Sequence, residues 1–239
     1  MIKVPKERLD KLVSSMFALT RSESRTAIRR SRVGVDGKTV RIADTKVDPE
    51  TQIITLDSRS SEYKKYVYIV MNKPRGVLSA SRDKKAKTVI DLLSDEYKTR
   101  DMFCVGRLDK DTTGLLLITD DGDFCHRLMS PNKNVYKTYE VELDGKIDDD
   151  MIALFEKGVT LADSTVCRPA KLSAIGENLA KISISEGKFH QVKRMFGVVG
   201  LGVVSLKRIS VAGLSLPCDL KEGQYRELLP EEMEILGKS

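Results

Sequence analysis

The segment 106–122 combines charged side chains with the pattern of a buried strand. Arg107 and Asp109 lie two residues apart in a polar stretch, and four apolar residues follow at 115–118. A buried strand gives the loop before it a rigid support, which is how enzymes hold a catalytic carboxylate. A polar turn between two strands would have a similar composition. The candidate chemistry is attack or proton abstraction by the carboxylate of Asp109.

Three segments resemble the motifs of the pseudouridine synthases and follow one another in the order found in that family. Residues 106–115 match the form G-R-L-D-x-x-[ST]-x-G-L that the RsuA and RluA families share. Residues 71–77 and 186–195 resemble the first and third motifs of the RsuA family. The sequence is therefore identified as similar to RsuA-type pseudouridine synthases over nearly its whole length.

This resemblance implies an enzyme that isomerises a specific uridine of ribosomal RNA, without a cofactor and without a metal. Segments 79–93 and 158–170 are most similar to members that modify 16S rRNA, which implies a target of the uridine 516 class. A member that modifies 23S rRNA is the alternative within the family. The sequence contains neither a P-loop nor a dinucleotide fingerprint, in agreement with chemistry that needs no bound nucleotide.

The resemblance also assigns roles to four side chains. Asp109 would attack the anomeric carbon of the ribose or remove a proton from the neighbouring carbon, and both routes stay open. Arg107 would fill the space that a flipped uridine leaves, or hold the flipped nucleotide. Tyr139 would stack on uracil and manage the proton at C5. Lys193, or alternatively the neighbouring Arg194, would keep Asp109 ionised.

The third motif contains side chains for which we expect supporting roles. Phe189 and Met195 are expected to pack in the interior. His190 and Gln191 are expected to support the motif without acting as acid or base, since an isolated histidine is more often structural than catalytic.

Most of the net positive charge lies in the first quarter of the chain. The formal net charge is +6, and residues 1–60 contain 13 Lys and Arg against 8 Asp and Glu, which supplies +5. An asymmetric basic segment is typical of proteins that bind nucleic acid. Apolar spacing predicts a helix over 6–19, a second helix from near Ser22 and a hairpin that turns at Asp36 and Gly37. These elements resemble the RNA-binding domain named after the fourth small-subunit ribosomal protein.

The candidate RNA contacts are cations that could bind phosphate. Four of them recur at three- and four-residue steps, which would place them on one helix face. An ordinary solvated surface is the alternative. The candidates are Arg21, Arg25, Arg29 and Arg32 in the front segment and Lys73, Arg75 and Arg194 in the rest of the chain.

The sequence predicts an α+β protein with two domains. A small α/β RNA-binding domain is expected over 1–57, a polar linker over 58–65 and a catalytic domain over 66–239. In the catalytic domain the predicted strands outnumber the helices, and hairpins join most of them. We therefore expect a mixed, largely antiparallel sheet with peripheral helices.

Cysteine usage and hydropathy indicate the compartment. The four cysteines form no C-x-x-C pair, which predicts neither a zinc site nor a disulfide framework and fits a reducing cytosol. No apolar stretch has the length of a signal peptide or a membrane span. We expect a cytoplasmic monomer that acts on ribosomal RNA, within a partly assembled small subunit.

Two other classes of protein fit part of the sequence. A non-catalytic RNA-binding or ribosome-assembly factor would need only the basic front domain, and the intact Asp109, Arg107 and Tyr139 argue against it. A hydrolase with Asp109 and Asp111 as an acid–base pair would need a defined separation between the carboxylates, which a loop does not specify.

Overall fold

The computed structural model describes residues 6–130 and 133–237. The chain divides into two compact units. The first comprises Met1–Val67 and Leu93–Met102, and the second comprises Tyr68–Leu92 and Phe103–Ser239. Both contain helices and strands, as the predicted α+β class requires. No helix in the described ranges combines the length and the apolar composition needed to span a membrane.

The first unit is built from two helices and short strands. The strands form an antiparallel sheet in the order β3-β2-β5-β6 and a separate pair, β1 with β4. The elements are β1 (Glu7–Arg8), α1 (Leu9–Met16), α2 (Arg21–Arg29), β2 (Val33–Val35), β3 (Lys38–Thr39), β4 (Lys46–Val47), β5 (Ile54–Leu56), β6 (Arg59–Ser60) and α3 (Asp95–Lys98). Strand β6 lies within the span 58–65 that the sequence predicts as a linker.

Local sequence signals set the ends of the two front helices. Helix α1 is shorter than the predicted span 6–19, because Glu7–Arg8 pair with β4 as a strand. Helix α2 begins after a capping box, in which Glu23 N donates to Thr20 Oγ1 and Thr20 N donates to a carboxylate oxygen of Glu23. It ends at Arg29, so the prediction that Arg32 shares its face is wrong.

The predicted hairpin between β2 and β3 is confirmed. Asp36 and Gly37 both have positive φ, 51° and 76°, which matches the twist of a two-residue turn between antiparallel strands.

The second unit is built on a nine-stranded sheet. The strand order is β11-β12-β10-β13-β9-β7-β15, with β14 paired to β13 and β8 paired to β9. Only the pair β9–β13 is parallel among the described strands, so the predicted mixed, largely antiparallel sheet is confirmed. The elements are β7 (Tyr68–Lys73), β8 (Phe103–Val105), β9 (Thr113–Thr119), α4 (Gly122–Met129), β10 (Lys137–Leu143), α5 (Asp149–Lys157), β11 (Lys171–Ala174), β12 (Leu179–Ile184), α6 (Gln191–Val198), β13 (Val203–Val211), β14 (Leu214–Ser215), β15 (Tyr225–Glu227) and α7 (Pro230–Gly237).

Strand β9 is buried on both faces. Successive side chains of a strand point to opposite faces, and all of Leu115, Leu116, Leu117 and Ile118 are buried. Leu115 and Leu117 pack in the cluster that also contains Phe124 of α4. The loop that precedes β9 is therefore attached to a strand that is packed on both faces.

Gly114 allows the close parallel pairing of β9 with β13. It lies opposite Arg208, and a Cβ atom built on Gly114 would lie 2.2 Å from the carbonyl oxygen of Arg208. Its φ of +99° is also unfavourable for other residues. The glycine of the motif is thus required by backbone packing.

Candidate active site

The segment between β8 and β9, residues 106–112, is named here the catalytic loop. Its backbone is held from within, where Thr112 N donates to Asp109 O at 3.1 Å. It is also held from a neighbouring turn, where Gly76 N donates to Lys110 O at 2.7 Å. These bonds fix the backbone at Asp109 and just after it, and so restrict where its carboxylate can lie.

Lys73 lies beneath the catalytic loop. Its side chain is fully buried, and Nζ donates to the carbonyl oxygens of Pro74, Lys110 and Thr112 at 3.1, 3.4 and 2.9 Å. Burial lowers its pKa to about 8, although the nearby carboxylates oppose that shift. The prediction of an RNA contact by Lys73 is therefore wrong, because the buried ammonium supports the loop instead. Its place at the end of a buried strand was the signal for this role.

Two cationic or ionisable side chains of the third motif lie near Asp109. His190 Nε2 is 3.5 Å from Asp109 Oδ1, and Lys193 Nζ is 4.0 Å from Asp109 Oδ2. Lys193 makes its hydrogen bonds to Asp111, at 2.6 and 2.7 Å from the two carboxylate oxygens. This hydrogen bond is the main reason why the pKa of Asp111 is lowered. Lys193 is thus shared between two carboxylates, and Asp111 is its closer partner.

The catalytic loop opens onto a cleft of about 630 Å³. Arg107, Asp109 and Tyr139 line this cleft, and a smaller adjoining pocket is lined by these three residues and Lys193. Tyr139 is buried in β10, whereas Arg107 is exposed. All four side chains predicted to be catalytic are thus brought together, although they come from distant parts of the sequence.

Two cations of the cleft were missed by the sequence analysis as site residues. Lys137 lies two residues before Tyr139 in β10, and Arg208 lies opposite Tyr139 in the β10–β13 register. Arg208 is buried, its Nε donates to Leu115 O at 2.8 Å, and its Nη2 has no partner in the described part of the chain. Burial, followed by the charge of Arg208, lowers the pKa of Lys137. The alternation of β10 could have indicated Lys137, whereas Arg208 depended on a long-range register.

Phe189 and His190 are the last two residues of the third motif before α6. His190 has the left-handed values φ 48° and ψ 32°, and the helix starts at Gln191. Phe189 is 70% exposed and stacks on His190, with ring centroids 3.8 Å apart and planes inclined by 19°. The prediction that Phe189 packs in the interior is therefore wrong. The same prediction for Met195 is confirmed, since it is fully buried.

Gln191 has the scaffolding position that the sequence predicts. Its side chain is buried, accepts from Lys188 N at 2.9 Å and donates to Glu186 Oε1 at 2.8 Å. Glu186 also binds Lys188 Nζ at 2.9 Å. These contacts fix the segment that forms one wall of the cleft.

In the first unit, two of the arginines predicted to contact RNA lie with Arg8 around a buried carboxylate. Asp10 is fully buried and accepts hydrogen bonds from Arg8 and Arg25, while Arg21 Nη2 lies 3.2 Å from it. Burial alone would raise the pKa of Asp10, but the guanidinium groups lower it overall. Arg21 and Arg25 remain about half exposed, so each is both anchored and accessible.

The other candidate RNA contacts lie on the surface of their own units. Arg32 pairs with Asp57, and Arg194 pairs with Asp163. Arg29 and Arg75 are exposed. Contact of these side chains with RNA stays a prediction.

Comparison with known proteins identifies the family. Residues 67–197 match the family model for RNA pseudouridylate synthase, and residues 7–53 match the S4 domain. An uncharacterized RNA pseudouridine synthase of Bacillus subtilis (strain 168) is 42% identical over 235 residues, covering 97% of this chain and 98% of that protein. Ribosomal small subunit pseudouridine synthase A of Escherichia coli (strain K12) is 40% identical over 227 residues, covering 95% and 98%. A pseudouridylate synthase of known crystal structure is 34% identical, with a TM-score of 0.69, and the match covers 96% and 99%.

The fold and the site thus define an RNA-modifying isomerase that carries an S4 RNA-binding domain ahead of its catalytic unit. The chain belongs to the RNA pseudouridine synthase family and is of the RsuA type. The class of enzyme predicted from the three motifs is confirmed, and the hydrolase and the non-catalytic factor are set aside.

Proposed function

We propose that this pseudouridine synthase isomerises one uridine of 16S ribosomal RNA, of the uridine 516 class, with Asp109 as its catalytic carboxylate. The observation that carries the proposal is the place of Asp109 on a fixed loop, in a cleft shared with Arg107 and Tyr139. The small-subunit target is supported by the name of the Escherichia coli relative, which matches nearly the whole chain.

The reaction breaks the bond between the ribose and N1 of uracil, rotates the base and joins the ribose to C5. The target uridine has to leave its stack to reach Asp109, and Arg107, exposed beside the cleft, would occupy the vacated space. An ionised Asp109 serves either route, attack at the anomeric carbon or removal of a proton from the neighbouring carbon. Lys193 Nζ lies 4.0 Å from Asp109 Oδ2 and would help to orient this carboxylate.

The detached uracil is held by the sheet face that underlies the cleft. Its ring would stack on Tyr139, whose hydroxyl is suited to accept or return a proton at C5. Because the glycosidic bond leaves its electron pair on the base, the detached uracil carries negative charge. Lys137 and Arg208 lie on the face that carries Tyr139 and would stabilise that charge.

The S4 domain would supply affinity through the RNA backbone. Its basic side chains neutralise phosphates without reading the sequence, so the binding is expected to weaken as salt is raised. We propose that the protein acts as a cytoplasmic monomer on a partly assembled small subunit. The proposed backbone contacts in this domain are Arg21, Arg25, Arg29 and Arg32.

The test is release of tritium from RNA labelled at C5 of uridine. The substrates are 16S and 23S rRNA, each free and in assembling particles. Asp109→Asn removes the carboxylate with little change in size. Asp123→Asn is the matched control, because Asp123 is an exposed carboxylate of α4 that does not line the cleft.

Release from 16S substrates alone, lost in Asp109→Asn and kept in Asp123→Asn, supports the proposal. Release from 23S substrates alone would overturn the target and keep the enzyme class. Undiminished release by Asp109→Asn would overturn the role of the carboxylate.

A further inference from the structure

Phe189 is the most exposed large apolar side chain among the residues that the structure describes, at 70%. It lines the same cleft as Asp109 and Tyr139. One face of its ring lies against His190, with centroids 3.8 Å apart. An aromatic ring in this position leaves its second face open to whatever enters the cleft.

The side chain of Phe189 does not pack in the core. The nearby Met195 and Phe196 of α6 are fully buried, so the helix already has its apolar anchors. The ring is nevertheless supported on one face by His190, and the backbone that carries it is held by Arg194 Nη1, which donates to Phe189 O at 3.4 Å. A ring held in this way loses little further freedom when a ligand stacks on it, which favours binding.

We propose that the open face of Phe189 is a stacking platform for the nucleobase next to the target uridine in the RNA chain. Cationic side chains beside an exposed aromatic ring are the combination that binds unpaired RNA, since the cations attract the backbone and the ring stacks a base. Arg107 is exposed and supplies such a charge in the same cleft.

The burial of the two aromatic rings assigns different bases to them. Tyr139 is buried in the wall near Asp109 and suits the uracil that reacts, whereas Phe189 is exposed and suits a base outside the reaction. This assignment rests on the proposed function. The stack would partly replace the base stacking that RNA loses when the uridine flips out.

The platform also has a link to the catalytic carboxylate. His190 lies between Phe189 and Asp109, with Nε2 3.5 Å from Asp109 Oδ1. A base, Phe189 and His190 would then form a continuous stack that orders His190 beside Asp109. Phe189 is on this view a positioning residue that acts on substrate binding.

The experiment compares variants of Phe189 in the tritium-release assay on the rRNA fragment that the wild-type enzyme modifies. Phe189→Leu keeps an apolar side chain but removes the aromatic ring. Phe189→Trp keeps an aromatic ring at this position. Ile175→Ala is the matched control, because Ile175 is an exposed apolar residue outside the cleft. Loss of one base–aromatic stack raises KM about 5- to 150-fold. We expect this rise in KM for Phe189→Leu and not for Phe189→Trp or Ile175→Ala. The kcat of Phe189→Leu should stay within about threefold of the wild-type value.

RNA with an abasic nucleotide on either side of the target identifies the stacked base. On one of these two RNAs the wild-type KM should rise to that of Phe189→Leu, and the substitution should then cause no further change. A KM for Phe189→Leu within twofold of wild type overturns the proposal. The proposal is also overturned if Phe189→Leu raises KM by the same factor on both abasic RNAs as on the intact RNA.

Binding is measured in parallel, so that stacking is tested without turnover. The probe is a fluorescein-labelled oligonucleotide of seven uridines, with Asp109→Asn protein that has Phe or Leu at position 189. Weaker binding of the Leu form supports stacking, even if no RNA releases tritium and the proposed function fails. Equal binding by the two forms counts against the platform, whatever the activity.

Discussion

Replacement of Lys73 by methionine tests whether a buried cation supports the catalytic loop. The ordinary pKa of lysine is 10.5, and burial lowers that of Lys73 to about 8. The unfolded chain therefore binds more protons than the folded protein between these two values. The titration of Lys73 therefore makes the folded protein more stable as the pH rises across this window. Its contribution to the free energy of unfolding is least favourable below pH 8.

The size of the effect follows from the two pKa values. At about 1.4 kcal/mol per pH unit, the full difference corresponds to about 3 kcal/mol. Between pH 7 and pH 9.5 the folded protein regains about 2 kcal/mol of this difference. It does not regain the rest, because the lysine of the unfolded chain is still largely protonated at pH 9.5. Methionine has a similar length and no titration, so Lys73→Met lacks this dependence.

The assay is urea unfolding of the wild type and Lys73→Met at several pH values, followed by circular dichroism. The difference between the two proteins cancels the other titrating groups. We expect the wild type to gain about 2 kcal/mol relative to Lys73→Met from pH 7 to pH 9.5. Lys85→Met, at an exposed lysine, should show no such trend.

A free-energy difference that is independent of pH would refute the account of Lys73. The substitution should also lower kcat in the tritium-release assay by about tenfold, because the loop loses its anchors at Lys110 and Thr112. Unchanged kcat would mean that the backbone bonds of the loop suffice to hold Asp109.

Three further substitutions test other parts of the structure. Gly114→Ala places a Cβ against the carbonyl oxygen of Arg208 and should destabilise the catalytic unit by about 2–5 kcal/mol, seen as a lower Tm; an unchanged Tm would contradict the close pairing. Asp10→Asn leaves three guanidinium groups without their shared carboxylate and should lower the free energy of unfolding in urea at pH 7 by about 2–4 kcal/mol. A decrease of less than about 0.5 kcal/mol would show that these ion pairs do not stabilise the fold. Lys193→Met should lower kcat about a hundredfold while Asp111→Asn changes it less than about threefold, and the reverse order would make Asp111 the partner that matters.

Features that depend on neighbouring residues were predictable from the sequence. The start of α2 follows from the Thr20–Glu23 capping box, and the turn at Asp36 and Gly37 follows from the preference of these residues for positive φ. The same holds for the loop that carries Asp109, because a polar run ahead of an apolar strand is a local pattern. Family resemblance then located Tyr139 and Lys193, which the sheet and α6 bring to the same pocket.

The sequence by itself determined the three motifs, the enzyme class they indicate and the carboxylate at the centre of the site. Only the tertiary structure decided which groups surround that carboxylate. Lys73 is buried and supports the catalytic loop, and Lys193 donates its hydrogen bonds to Asp111. Arg208 lies opposite Tyr139 on the adjacent strand. Burial and strand register depend on residues far away in the chain, whereas capping and turn preferences act within a few residues, so only the latter can be read locally.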